Sequence, residues 1–159
     1  MKNNQSGFTL VELVVVMGIA STLFGLVIFS LINQQRHTSV SSSSDTLVSD
    51  MSSQQNKAML GAGAINGNSY GIYFQSDKYI LFTGSNYSSQ NTTNFTVPID
   101  PGYSIANITF PNNTLVFSAR TGEVSGFSSG KTTVTIRDSD GTKIETITVN
   151  RYGVVTKEN

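Results

Sequence analysis

The stretch "SGFTLVELVVVMGIASTLFGLVIF", residues 6–29, combines an almost continuous apolar run with a single carboxylate, Glu12. From residue 13 to residue 32 there are twenty residues without a charged side chain. As an α-helix this run extends about 30 Å, the thickness of the hydrocarbon core of a bilayer. The run therefore predicts a transmembrane helix, and its orientation is weakly specified because only Lys2 precedes it and only Arg36 follows it closely.

A cleavable secretory signal is the alternative interpretation of the same run. The apolar core of a signal peptide is shorter and ends at a cleavage site of small residues. Here Ala20, Ser21 and Gly25 lie inside the run, which continues through residues 26–32. The pattern therefore favours a retained span over cleavage after the run.

Composition limits the remaining possibilities. The chain has 159 residues, of which 38% are hydrophobic and 13% charged, and this fits one modest domain plus an appendage. Its formal net charge is zero, so nothing global indicates binding to nucleic acid or to an anionic surface. The sequence has no cysteine, which excludes disulfides, thiolate catalysis and thiolate metal sites.

The chain is predicted to consist of five segments. After a leader at residues 1–7 and a transmembrane helix at residues 8–32, the helix is expected to continue as an amphipathic segment at residues 33–60. A glycine-rich linker at residues 61–68 and a β-rich domain at residues 69–159 follow. The serines at positions 41–44 lower helix propensity and favour a kink or frayed turn. The apolar stripe of the amphipathic segment is Val40, Leu47, Met51, Ala58 and Met59.

Short β-like runs separated by turn residues fill the C-terminal domain. "YGIYF" and "YILF" flank "QSDK" as a hairpin; the later runs are "FTVPI", "SIANITF", "TLVFSA", "GEVSGF", "TVTIRD", "KIETITVN" and "GVVTK". Their spacing predicts an antiparallel sandwich or open barrel, and the whole chain is therefore expected to be α+β. In the penultimate run Ile144 has the opposite parity from Ile147 and Val149, which predicts a β-bulge near Glu145.

A calcium site is one interpretation of "DSDGTKIE", because Asp138, Asp140 and Glu145 could supply oxygen ligands. The stretch is too short for a helix-loop-helix calcium site, and Asp-Gly between two β-like runs indicates a hairpin turn, which is the favoured reading. We found no catalytic constellation and no cofactor motif. The chain is therefore expected not to be an enzyme and to carry no cofactor.

Glu12 is the feature that calls for a specific explanation. A carboxylate in a membrane helix is costly and usually has a partner, but no Lys or Arg lies within helical reach. If the chain were cut after Gly7, Phe8 would expose a new α-amino group. Glu12 could then approach its own N-terminus or, in a packed bundle, that of a neighbouring subunit. The second arrangement would neutralise two buried charges and set the stagger between subunits.

The sequence "GFTLVEL", residues 7–13, follows a short polar leader with Lys2 and resembles the prepilin cleavage and methylation motif of type IV pilins and type II secretion pseudopilins. This resemblance implies that Gly7 is the last leader residue. It also implies that a membrane prepilin peptidase cuts before Phe8 and N-methylates it, and that Glu12 guides assembly. Phe29 stands where many major pilins carry a helix-bending proline, which argues against a major pilin.

The β-domain indicates which type of pilin the chain resembles. Its segments "TLVFSARTGEV" and "ITVNRYGVVT", which contain Gly122 and Gly153, resemble the GspH/FimT-type minor pseudopilins and minor pilins. The implied protein is a structural subunit in the bacterial inner membrane, with a cytoplasmic N-terminus and an external C-terminal domain, which later enters a type IV pilus or a type II secretion pseudopilus. Its implied partners are prepilin peptidase, membrane lipid and other pilin subunits. The predicted helix-packing residues are Leu10, Leu13, Val14, Met17, Gly18, Ala20, Leu23 and Gly25.

Two other functions remain as alternatives. A DNA-binding minor pilin would need clustered Lys and Arg, but residues 111–159 contain six basic and five acidic side chains and end without a basic tail. This pattern therefore disfavours nucleic acid as a partner. An unprocessed membrane-anchored β-domain, with or without enzymatic activity, would retain residues 1–7 and would give Glu12 no role.

Overall fold

The computed structural model describes residues 9–63 and 67–158, with side chains at residues 9–25, 41–63 and 67–158. The chain divides into two units, Met1–Thr38 and Ser39–Asn159. The second unit contains both sheets and the part of the helix from residue 39 to residue 59.

Helix α1 comprises Leu10–Met59 and runs through the serines at positions 41–44, where a kink or frayed turn was expected. Two of these serines are buried, and Ser44 donates a hydrogen bond to the Ser41 carbonyl oxygen. Packing thus outweighs their low helix propensity. The helix ends where Gly61 adopts a φ of 65° and the N–H of Ala62 donates to the Lys57 carbonyl at 3.1 Å. This is a Schellman motif.

Within residues 9–63 and 67–158, eight strands form two four-stranded sheets. The first sheet has the order β3-β2-β1-β5 and the second the order β4-β6-β7-β8, and all paired strands are antiparallel. The predicted α+β class, with an antiparallel all-β domain after the helix, is confirmed. The strands are β1 Tyr70–Phe74, β2 Lys78–Thr83, β3 Phe95–Pro98, β4 Tyr103–Ala106, β5 Thr114–Phe117, β6 Thr133–Asp138, β7 Ile144–Val149 and β8 Val155–Glu158.

One predicted strand is wrong. Residues 122–127 do not form a strand but make a single isolated bridge, between Phe117 and Val124. Gly122 and Gly126 both have positive φ angles, 67° and 64°, and these conformations are incompatible with extended backbone. The segment is therefore a loop beside β5.

The predicted bulge near Glu145 is also wrong. Strand β7 pairs with β6 in continuous register, with Ile144 opposite Arg137 and Glu145 opposite Ile136. Ile144 is 52% exposed, whereas Glu145 is 3% exposed. The alternation of apolar residues predicted that Ile144 points into the core. The inward position is instead occupied by the Glu145 carboxylate, which has its own polar partners.

Among the side chains that the structure describes, one cluster of buried residues joins the helix to both sheets. From α1 it contains three residues of the predicted apolar stripe, while Met59 is 49% exposed and the side chain of Val40 lies outside the described residues. The cluster thus holds the C-terminal part of α1 against the β-domain by burial of apolar surface. Its main members are Leu47, Met51, Ala58, Ile72, Phe74, Tyr79, Leu115, Phe117, Val134, Ile136, Ile147 and Val149.

Candidate functional site on helix α1

Helix α1 begins with a capping interaction between Thr9 and Glu12. The backbone N–H of Glu12 donates to Thr9 Oγ1 at 3.3 Å, and Thr9 Oγ1 lies 3.5 Å from Glu12 Oε2. The N–H of Leu13 donates to the Thr9 carbonyl at 3.2 Å, as expected for the first helical hydrogen bond. Thr9 is therefore the N-cap, and Glu12 lies in the first turn, where the helix dipole favours a negative charge.

Thr9 is a capping residue that the sequence analysis missed. The search for a partner of Glu12 considered only basic side chains, although Thr-x-x-Glu before an apolar run is the sequence pattern of a capping box. That pattern was available at residues 9–12. The predicted cleavage pair, Gly7 and Phe8, lies outside the described residues.

The segment after the cap is apolar around its whole circumference. Consecutive residues from Val14 to Met17 are each more than half exposed, so no described residue of their own unit covers any face of this turn. A helix that is apolar on every side is typical of a lipid or multi-subunit environment rather than of a surface helix. The exposed apolar residues of the segment are Leu10, Val11, Leu13, Val14, Val15, Val16, Met17, Ile19, Leu23 and Phe24.

The small residues proposed for helix packing lie in the same segment. A Cβ atom built at Gly18 or Gly25 would meet nothing within 4 Å, and Ala20 is partly exposed. The hydroxyl groups of Ser21 and Thr22 donate to the carbonyls of Met17 and Ile19, each at 2.8 Å. The polar side chains of this turn are thus satisfied within the helix, as an apolar environment requires.

Within the described residues, no helix meets the length and hydropathy needed to cross a membrane. The side chains at residues 26–32 of the predicted span lie outside the described set.

A polar cluster connects the C-terminal half of α1 to the second sheet. It consists of Ser44, Asp45, Glu145 and Lys157, and we call it the Lys157 clasp. Lys157 Nζ lies 2.9 Å from Glu145 Oε1 and 2.6 Å from Asp45 Oδ1. The Ser44 hydroxyl donates to Glu145 Oε2. Hydrogen bonds to Asp45 and Glu145 raise the pKa of Lys157 above its usual value, so the ammonium form is stabilised.

Two further polar contacts fasten α1 to the first sheet. The Tyr79 hydroxyl donates to Asp50 Oδ2 at 2.6 Å, and burial together with this hydrogen bond raises the pKa of Tyr79. Gln54, which is 2% exposed, donates through Nε2 to the carbonyl of Gly71 at 3.0 Å. Buried polar groups with such specific partners fix the register of the helix on the sheet as well as its position.

The last turn of α1 meets two glycine-containing loops. Gln55 Nε2 donates to the Gly122 carbonyl at 3.1 Å and to the Tyr152 carbonyl at 2.7 Å. A Cβ at Gly122 would lie 2.9 Å from Met59 Sδ, and one at Gly153 would lie 2.8 Å from Gln55 Cδ. The structure therefore brings together the two glycines that the sequence analysis singled out, and their missing side chains make room for α1.

The three carboxylates considered as calcium ligands are placed in different environments. Asp138 is buried at the β6–β7 turn, where it accepts hydrogen bonds from Thr142 N at 2.9 Å, Thr142 Oγ1 at 2.8 Å and Lys143 N at 3.2 Å. Burial raises the pKa of Asp138, but these hydrogen bonds outweigh it and lower that pKa below its usual value. Glu145 belongs to the clasp, and Asp140 is exposed in the turn. Across the described ranges no three His, Cys, Asp or Glu side chains are grouped to hold a metal ion.

Comparison with known proteins identifies the N-terminal segment. The family model for the prokaryotic N-terminal methylation motif matches residues 2–28, which include Gly7, Phe8 and Glu12. No curated protein and no solved structure gives a significant match. The motif, which extends into the apolar segment of α1, together with the β-domain that follows the helix, supports the assignment of this chain as a type IV prepilin-like protein.

Proposed function

We propose that the chain is a minor pilin or pseudopilin, a structural subunit that prepilin peptidase cleaves after Gly7 and methylates at Phe8. The observation that carries this proposal is the exposed apolar segment at residues 10–24, with Glu12 in its first turn and the methylation motif around it. A surface of this kind is stable only when lipid or other helices cover it. The subunit thus uses lipid before assembly and the helices of its neighbours afterwards.

In the proposed subunit Glu12 pairs with the α-amino group of a neighbouring Phe8. The contact from Thr9 Oγ1 is long, at 3.5 Å, so the carboxylate retains capacity for a stronger charged donor. Thr9 holds the carboxylate in the first turn, close to the end where cleavage would create the amine. An ammonium and a carboxylate that leave water together offset each other's desolvation cost, whereas either one buried alone would destabilise the packed state.

The proposed location is the bacterial inner membrane, with the N-terminus in the cytoplasm and the β-domain outside. The subunit would wait there until it is extracted into a type IV pilus or a type II secretion pseudopilus. The GspH/FimT type is supported by the contacts of Gly122 and Gly153 with the last turn of α1. We further propose that the chain has no enzymatic activity of its own and acts as a substrate of the peptidase and as a partner of other pilin subunits.

The experiment that tests this function is an intact-mass and N-terminal peptide analysis of the full chain, expressed with and without a prepilin peptidase. The expected product begins at N-methylated Phe8 and appears only with the peptidase. Gly7→Val serves as the matched control, because it alters the predicted cleavage position while leaving Glu12 and the apolar run intact. A product that keeps Met1 with and without the peptidase would overturn the proposal.

A further inference from the structure

A cleft of about 520 Å³ lies on the face of the first sheet that points away from the core. Tyr73 of β1 and Val116 of β5 line it, and both alternate along their strands with core residues such as Ile72 and Leu115. Tyr87, from the loop after β2, completes its apolar lining. The cleft is therefore separate from the surface by which α1 packs on the sheets.

Two aromatic rings, Tyr73 and Tyr87, form a wall of this cleft, and the buried ring of Phe82 supports it. The rings of Tyr73 and Tyr87 are stacked, with centroids 4.2 Å apart and planes 7° apart, and Tyr87 meets Phe82 edge to face at 5.7 Å. Gly71 makes this packing possible, because a Cβ there would lie 2.7 Å from Phe82 Cε1. The ring of Tyr87 is thus held from two sides before any ligand arrives.

Backbone hydrogen bonds fix the loops on the other sides. The N–H of Ser125 donates to the Val116 carbonyl at 2.8 Å, which ties the loop after β5 to the edge of the sheet. On the turn before β5, Asn112 adopts a left-handed conformation with φ 52°, and its carbonyl accepts a hydrogen bond from the Thr114 hydroxyl at 2.9 Å. The walls of the cleft are therefore preorganised, which reduces the entropic cost of binding.

The polar lining is rich in amides and hydroxyls and carries no charge. Asn86, Asn112 and Ser125 line the cleft, and among the described residues no Lys, Arg, Asp or Glu does so. An anionic ligand would find no cation there, and a purely apolar ligand would leave the amide groups without hydrogen-bond partners. A sugar ring fits both parts of the lining, because its C–H faces pack on aromatic rings and its hydroxyls bond to amides.

We propose that this cleft binds a neutral carbohydrate of one or two sugar rings. Its volume lies within the range of small-molecule sites. Ser125 and Gly126 also line a second cleft of about 450 Å³, which contains Glu123 and Arg151 and extends the surface available to a longer glycan. Carbohydrate binding goes beyond the proposed assembly role and adds a recognition surface to the β-domain.

The test is ligand-observed NMR, by saturation transfer from the full-length chain to three neutral disaccharides: diacetylchitobiose, maltose and lactose. The chain is held in lauryl dimethylamine oxide, because detergents with sugar head groups would compete for the cleft. We expect saturation transfer to at least one disaccharide. Transfer to none of them would overturn the proposal, and so would binding of an oligothymidylate in their place.

Two variants and a control locate the binding surface. Tyr87→Ala should weaken the affinity about tenfold or more by removing an aromatic wall, and Asn86→Ala should weaken it severalfold without disturbing the aromatic packing. Tyr152→Ala is the matched control, because Tyr152 is 66% exposed and does not line the cleft. Undiminished binding by both Tyr87→Ala and Asn86→Ala would contradict the assignment. Processing by the peptidase does not enter this measurement, so the two proposals fail independently.

Discussion

The N-terminal and C-terminal parts of helix α1 differ in which kinds of side chain are exposed and which are buried. Near its N-terminus, at residues 10–24, large apolar side chains are exposed. Toward its C-terminus, at residues 43–58, polar side chains such as Ser44 and Gln54 are fully buried. The N-terminal part of the helix thus exposes an apolar surface that no described residue of its own unit covers, and we call it the uncovered end. The C-terminal part has polar side chains enclosed by protein, and we call it the enclosed end.

This contrast shows that the burial of a side chain depends more on its hydrogen-bonding and packing partners than on its residue type. Ser44 and Gln54 are buried because Glu145 and the Gly71 carbonyl satisfy their hydrogen bonds. The apolar side chains at residues 10–24 have no such partners among the described residues of their own unit, and they therefore require lipid or other subunits. One end of the helix is specified within the chain, and the other depends on its surroundings.

The largest effect is expected at the uncovered end, from Glu12→Ala. Cleavage and methylation should proceed as in the parent chain, while incorporation into filaments should fall by about a hundredfold or more. The reason is that removing one member of a desolvated charge pair costs about 3 kcal/mol. The measurement is the ratio of processed subunit in sheared filaments to processed subunit in the membrane fraction.

Thr9→Val separates the charge of Glu12 from the helix cap that Thr9 provides. This variant removes the hydroxyl that caps α1, at a cost of about 1 kcal/mol, but keeps the carboxylate. Filament incorporation should survive it. If Thr9→Val prevents assembly as fully as Glu12→Ala does, helix capping rather than charge pairing explains the phenotype.

At the enclosed end, Lys157→Met should destabilise the β-domain by about 3 kcal/mol. The substitution leaves Glu145, which is 3% exposed, as an uncompensated buried charge. Asp45→Asn provides the matched control and should cost less than about 1 kcal/mol, because the Asp45 side chain is 68% exposed. Urea denaturation of the full chain in detergent measures both variants.

A double variant sharpens the interpretation of the clasp. Adding Glu145→Gln to Lys157→Met removes the buried charge while keeping an oxygen that can accept the Ser44 hydroxyl. The double variant should therefore be more stable than Lys157→Met alone. Equal stability would contradict the charge-pairing interpretation, because it would show that the Glu145 carboxylate without Lys157 carries no cost in the folded chain.

The helix end offers a smaller and purely steric test. Gly153→Ala should cost about 2 kcal/mol more than Gly141→Ala, because overpacking adds to the strain of a positive φ. Both residues have left-handed conformations, with φ 77° and 68°, but a Cβ would approach Gln55 only at Gly153 and would meet nothing within 4 Å at Gly141. The difference between their urea midpoints gives the result, and equal losses would show that Gln55 moves aside.

The sequence predicted the features that depend on local pattern. Alternating apolar residues located β1, β2 and β6, and the Asp-Gly pair marked the turn after β6. The sequence also supplied the methylation motif, because its chemistry requires a contiguous stretch of residues.

Local pattern failed where partners are distant in the chain. Ser44 and Glu145 are 101 residues apart, so no local signal could show that this carboxylate is buried and that no bulge is needed. The aromatic wall at Tyr87 is also non-local, because Tyr73 contributes from β1 while Tyr87 lies in the loop after β2. Pairwise satisfaction of polar groups is a property of the folded chain rather than of a sequence window.

The smallest of the expected effects is on the pH dependence of stability, which also tests the enclosed end of α1. Folding raises the pKa of Tyr79, so the unfolded phenol, with an ordinary pKa of 10.0, loses its proton first and stability falls as the pH rises above that value. Lys157 acts in the same direction, because its contribution is complete below the ordinary lysine pKa of 10.5 and is lost as the pH rises through the raised value. Between about pH 8 and about pH 11, Tyr79→Phe should reduce the loss of stability by about 1 kcal/mol. Urea midpoints at the two pH values give this difference, and an unchanged slope would show that the Tyr79 phenol ionises as readily in the folded chain as in the unfolded one.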